Sequence, residues 1–313
     1  MRRLVPTRRQ ALALAFSLFA APVSTSAWAQ AETKQAETKL PVVASFSILG
    51  DLVRQVGGDR VALDVLVGPG ADAHVYAPTP NDAKKLTLAK VVFVNGIRFE
   101  GWMDRLVRSS GTKALVVTAT KGVKPLTMTE RHAGHNHSAS DPHAWQDVAN
   151  TKLYVANIRD ALIDADAAGA EGYRARAEAY LKQLDTLDAD VRTGLAAIPA
   201  ERRRIITTHD AFGYFGAAYN MTLISPQGVS TESEASAQDV ARIIRQIRQE
   251  KVPAVFVENI SDPRLAERIA GETGARIGGT LYSDSLSVAG GPASTYIEMM
   301  RHNLGELVKA LKP

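Results

Sequence analysis

Residues 147–195 carry helical periodicity for nearly fifty positions without a strand-like run, and this stretch divides the chain. It softens only around Ala168-Gly169 and is closed by Pro199 and Arg202-Arg-Arg204. Before it, Val42–Ser45, Val61–Val67, Val91–Val94 and Ala114–Thr118 read as strands. Between them, Ile48–Val56, a segment from about Asn81, and Glu100–Ser109 have helical spacing. The alternation resumes with strands at Ile205–Thr208, Met221–Ser225 and Ala254–Val257, and helices over Ala237–Glu250, after Pro263 and from about Pro292 to Leu311. Strands alternating with helices build parallel sheets covered on both faces. The expected fold is therefore α/β, with two parallel-sheet lobes joined by one long helix. Its boundaries fall at 41–168 for the first lobe, 169–197 for the linking helix and 198–313 for the second lobe.

The first forty residues stand apart. Arg2, Arg3, Arg8 and Arg9 precede an apolar run from Ala11 to Val23 that ends near Ala27-Trp28-Ala29. A basic start, a short apolar core and small residues at a cleavage point describe a secretory signal peptide over 1–29. The run is too short to span a bilayer. Thr7-Arg8-Arg9 also fits a twin-arginine signal in part, so either export route is open. Residues 30–40 include the polar near-repeat Ala31 to Lys39 and read as a flexible leader. Removing 1–29 takes four Arg and no acid from the totals of 37 Lys+Arg and 33 Asp+Glu, which leaves 33 of each. The basic balance thus belongs to the export signal and offers no argument for nucleic acid. The chain has no cysteine, which excludes disulfides, thiolate ligands, a cysteine nucleophile and a lipid-anchor cysteine. A periplasmic protein, not embedded in the membrane, is the simplest reading.

Four polar loops each hold one good metal ligand. His74 lies beyond the strand at 61–67, and His209 directly follows the strand at 205–208. His143 follows Asp141-Pro142, where proline fixes a turn and biases its predecessor away from helix. Asp284 lies in the loop before the last helix. In open α/β sheets the loops beyond the carboxyl ends of strands converge on the ligand crevice. Imidazole nitrogen and carboxylate oxygen suit first-row divalent cations. Each ligating ring also needs its second nitrogen held, and Asp72, Asp141 and Asp210 are near enough in sequence to serve. Taken singly, each histidine reads more readily as an exposed or structural residue than as a ligand. No regular ligand spacing settles the choice.

The segments Gly70-Ala-Asp-Ala-His-Val-Tyr-Ala-Pro78, Asp141-Pro-His143, Thr208-His-Asp-Ala-Phe-Gly-Tyr-Phe215 and Tyr282-Ser-Asp-Ser-Leu286, in that order, carry a resemblance. The chain resembles the periplasmic metal-binding proteins of ABC importers, the ZnuA/TroA-like family, from about Pro41 to the C-terminus. It departs at Ala77, where the family usually has Glu or Gln. The resemblance implies two α/β lobes on one rigid backbone helix, with His74, His143, His209 and Asp284 binding a divalent cation in the inter-lobe cleft. It also implies a monomeric carrier, not an enzyme, that hands its ion to a membrane permease driven by an ATPase.

His209 favours Zn²⁺, because family members with His at this third position tend to be linked to zinc, and those with Glu to manganese or iron. Three imidazoles and one carboxylate suit four-coordinate Zn²⁺, whereas Mn²⁺, the alternative, prefers more oxygen donors. His132, His135 and His137 form a short cluster in the polar loop Arg131-His-Ala-Gly-His-Asn-His137, either an auxiliary metal loop or an ordinary polar one. Two other classes compete. A metallohydrolase on the same ligands would need a base such as Glu232, Glu234 or Asp210. A siderophore or haem binder would need a wide aromatic pocket, and the aromatic fraction is only 6%.

Overall fold

The computed structural model describes residues 38–132 and 135–312. The segment read as an export signal and most of the leader lie outside these residues, as do the side chains of 128–139.

Two four-stranded parallel sheets form the frame, as expected. The first has strand order β2-β1-β3-β4, from Val61–Val67, Leu40–Phe46, Val91–Val94 and Leu115–Thr118. The second has order β10-β9-β7-β8, from Arg276–Leu281, Ala254–Glu258, Arg204–Ile206 and Thr222–Ile224. The central strands are continuous β-branched or aromatic runs because both faces are covered; all four residues of β3 are buried. The order reverses between β1 and β3 in one sheet and between β7 and β9 in the other. Crevices open at such reversals, beyond the carboxyl ends of the strands.

Helix α1 (Ser47–Gly57) is buried on nearly every side, since it lies between the first sheet and two further helices, α4 (Val148–Ala165) and α5 (Ala170–Ala196). Asp147 caps α4, its side chain accepting from the Ala149 N–H at 2.9 Å. A short 3-10 turn, Ala167–Gly169, then separates α4 from α5. Helix α5 has 27 residues and is therefore about 40 Å long. Its buried residues Tyr173, Ala177, Tyr180, Leu184, Leu187, Val191 and Leu195 form one apolar stripe. Arg176, near its start, donates to the carbonyls of Val56 and Gly57 at 2.8 and 2.9 Å and closes the end of α1. Arg192, near its end, donates to the Ala218 carbonyl at 3.1 Å, and the same half packs on α9 (Tyr296–Leu311).

One large apolar core runs through the first sheet, α1, α4, α5 and α9 to the inner face of the second sheet. A smaller core, including Ile206, Ile243, Ile247, Val255 and Ile269, lies under α7 (Ala237–Glu250) and α8 (Arg264–Thr273).

Two elements differ from expectation. Of the segment 131–137, whose polar composition reads as a loop, the described residues 131–132 and 135–137 lie on two antiparallel strands, β5 (Thr127–His132) and β6 (His135–Ser140). Strand β10 has no counterpart among the expected strands, because Gly278-Gly279 interrupts its apolar pattern. There the register with β9 shifts between Ile277 and Thr280, Gly279 has φ +117°, and a Cβ on Gly278 would lie 2.4 Å from the Phe256 ring. Both glycines are the cost of a bulge in a crowded strand.

Candidate metal centre

His74, His143, His209 and Asp284 come together between the two sheets, with one donor atom from each lying within 4.8 Å of all the others. His74 Nε2 is 3.3 Å from His143 Nε2 and 3.2 Å from Asp284 Oδ2. His209 Nε2 is 3.2 Å from Asp284 Oδ2, and His143 Nε2 is 3.5 Å from Asp284 Oδ1. All four residues are at most 5% exposed.

Each of the four side chains is held by a different device. The Asp141-Pro142 turn places Asp141 Oδ1 where it accepts from both the backbone N–H and Nδ1–H of His143, at 2.9 and 2.8 Å. With a proton held on Nδ1, Nε2 is the ring atom that faces the other three residues and can accept a cation once its own proton leaves. The turn itself is fixed from β3: the Asn95 amide donates to the Pro142 carbonyl at 2.9 Å.

His209 stands at the reversal between β7 and β9, and its partner is Glu258, the last residue of β9. Glu258 Oε2 lies 2.6 Å from His209 Nδ1 as a charge contact. Its Oε1 accepts from the Thr208 N–H, the Thr208 hydroxyl and the His209 N–H at 2.8, 2.6 and 2.8 Å.

Asp284 belongs to the second lobe, yet the first lobe grips its segment. Trp145 Nε1 and Gln146 Nε2 both donate to the Ser283 carbonyl, at 2.9 and 2.8 Å. His74 sits in an irregular segment after β2. Its N–H donates to Asp72 Oδ1 at 2.8 Å, and its ring lies edge-on to Phe99 with centroids 4.7 Å apart.

The electrostatics follow from burying carboxylates among imidazoles. Burial works against charge on His143, but Asp284 and Asp141 outweigh it and push its pKa up to about 9. Burial is likewise outweighed at His209, where Glu258 and Asp284 hold the pKa well above the ordinary value. Asp284, despite its burial, is held well below the usual carboxylate range by His143 and His209. The cluster therefore calls for positive charge, from protons or from a cation.

Of the three supporting acids expected, Asp141 reaches a ring. Asp72 reaches only the backbone of its histidine. Asp210 reaches neither; its N–H donates to the Gly228 carbonyl at 3.1 Å. The ring support at His209 comes from Glu258, which no local sequence signal marks. Glu232 and Glu234, considered as bases, lie exposed on the loop between β8 and α7. In the hairpin, His132 is paired with His135 and His137 with Glu130 by backbone register.

The sequence profile of the family described as "Zinc-uptake complex component A periplasmic" matches residues 42–310. The chain belongs to this family. It is 34% identical over 305 residues to the iron-binding protein YfeA of Yersinia pestis, covering 97% of this chain and 96% of that one. It is 35% identical over 273 residues to the manganese-binding lipoprotein MntA of Halalkalibacterium halodurans, covering 87% and 88%. Among solved structures, the periplasmic zinc binding protein TroA of Treponema pallidum superposes with a TM-score of 0.81 at 34% identity, over 88% of this chain and all of that one. Relatives within the family are thus named for iron, manganese and zinc, and the family name alone does not choose among them. Among the described residues no helix is long and apolar enough to cross a membrane.

Proposed function

We propose that this protein captures Zn²⁺ in the periplasm and delivers it to an ABC permease and its ATPase, with His74, His143, His209 and Asp284 as the ligands. The observation that carries the reading is the spacing of the donor atoms. With Zn–N bonds of about 2.0–2.1 Å, the edges of a tetrahedron are about 3.3–3.4 Å. Four of the donor contacts, counted through both Asp284 oxygens, are 3.2–3.5 Å, and one donor atom from each residue lies within 4.8 Å of all the others. Three neutral imidazoles and one carboxylate satisfy zinc, while Mn²⁺ asks for more oxygen. Family membership supports the transport role, and the basic-apolar segment 1–29 supports export. In this reading 41–168 and 198–313 act as the two lobes of a monomer, 169–197 links them, and the hairpin with His132, His135 and His137 is an auxiliary, weaker metal site.

The test is native mass spectrometry of the mature protein, stripped of metal and offered Zn²⁺ and Mn²⁺ together. One tightly held zinc, undisturbed by excess manganese, is expected. Manganese retained against limiting zinc would make the protein a manganese carrier, and binding of neither metal would refute the site.

A further inference from the structure

The loop between β8 and α7, residues 225–236, holds none of the four proposed ligands, yet it touches the chain neighbour of one of them and the backbone support of another, in opposite lobes. On its own lobe the Gly228 carbonyl accepts from the N–H of Asp210, the residue after His209. Across the cleft the Thr231 hydroxyl donates to Asp72 Oδ2 at 2.6 Å. The other oxygen of the same carboxylate, Oδ1, accepts the N–H of His74 at 2.8 Å. The path from Thr231 to a ligand is therefore two hydrogen bonds through one carboxylate.

His74 is the ligand for which such a path matters most. His143 is fixed by Asp141 on its own turn, His209 is braced by Glu258, and the Asp284 segment is gripped by Trp145 and Gln146. The His74 segment has no regular structure, and its neighbour Val75 is 53% exposed. It is held on its own lobe by Trp102 Nε1 donating to the Ala73 carbonyl at 2.8 Å. It is held to the other lobe at Gly70, whose N–H meets Ser285 Oγ at 2.8 Å, and at Asp72.

We infer that Thr231 is a positioning residue for His74, and that its bond to Asp72 is an inter-lobe latch that sets how fast the bound cation leaves. This rests on the cation-binding reading above. While the latch is closed, the Asp72 carboxylate cannot turn, and the His74 backbone stays in register with the other three ligands. Release begins when Thr231 lets go and the His74 segment swings outward.

The experiment is stopped-flow release of Zn²⁺ from the mature protein, loaded with one equivalent, into excess chelator. Thr231→Val keeps the shape of the side chain and removes the donor. It should release zinc about tenfold faster, the lower end of what a hydrogen bond to a charged group is worth. Thr231→Ser restores the hydroxyl and should stay within twofold of wild type. The metal-free Tm of both should match wild type, which separates positioning from general stability. In an Asp72→Ala background, Thr231→Val should add no further acceleration, because the two residues act through one bond. Wild-type release by Thr231→Val, acceleration by Thr231→Ser equal to that of Thr231→Val, or multiplying effects with Asp72→Ala would each overturn the latch alone. A wild-type protein that holds no zinc would overturn the latch together with the cation-binding reading.

Discussion

Glu258→Gln changes one atom of the support at His209, and its effect can be worked out from the four contacts of the carboxylate. In the native chain Oε1 accepts three donors, while Oε2 faces the ring at Nδ1. A glutamine has one acceptor oxygen to divide between these tasks. If its oxygen turns to the ring, its NH₂ meets three buried donors, and each unsatisfied group costs about 1–3 kcal/mol. The oxygen therefore stays on the three donors and the NH₂ faces Nδ1. The ring must then accept at Nδ1, which moves its proton to Nε2, the atom that has to bind metal. Relative to the native chain, the binding tautomer then lacks its charge-assisted contact, about 1.5–3 kcal/mol, or a roughly 10- to 100-fold loss of affinity. Asp141→Asn offers an internal contrast. There a single oxygen, Oδ1, accepts both His143 donors, and Oδ2 has no partner. The asparagine oxygen keeps both bonds and only charge is lost, so its penalty should be the smaller of the two. Competition against a chromophoric chelator reads both affinities. Zinc affinity within twofold of wild type for Glu258→Gln, or a larger loss for Asp141→Asn, would refute the tautomer argument.

Four further outcomes are expected. His143 keeps its proton up to about 9 and His209 also titrates above its ordinary value, so uptake of one cation near neutral pH should expel about two protons. Calorimetry in buffers of different ionisation enthalpy counts them, and no proton release would contradict the charge balance. Because the raised pKa means tighter proton binding in the folded state, this stabilisation is full below 6.5 and is lost as pH rises through about 9. The Tm of the metal-free chain should fall across that window, and the Tm of the zinc-loaded chain should not. His74→Ala, His143→Ala and His209→Ala should each cost more than the 10- to 100-fold typical of a supporting residue, while His302→Ala should cost nothing. His302 binds the Thr280 carbonyl at 3.0 Å, away from the cluster. Deleting 132–137 should leave one tightly held equivalent by mass spectrometry; losing it would make the hairpin the primary site.

What could be read from the sequence was local. Asp147 and Ser236 were recognisable as helix caps because a cap and its N–H partners lie within three residues. His74 and His209 stood out as candidates because each follows a strand, His143 because it sits on a proline-fixed turn, and Asp284 because it lies in the polar loop before the last helix. Glu258 could not, because its role depends on β9 lying beside β7, a sheet order the sequence does not state. The grip of Trp145 and Gln146 on Ser283 spans more than 130 positions and leaves no local mark. The reading of 131–137 as a loop failed on composition: polar residues in a hairpin that belongs to neither parallel sheet need not alternate with apolar ones.

The division of the second lobe between two cores gives its parts unequal lifetimes. The inner face of that sheet shares the large core with the first lobe, so its β-strands should protect their amides until the whole molecule unfolds. The layer of α7 and α8 rests on the small core alone and should exchange first, as a sub-global unit. The loop 225–236 ends at Ser236, the cap of α7, so it is anchored to the layer expected to open first.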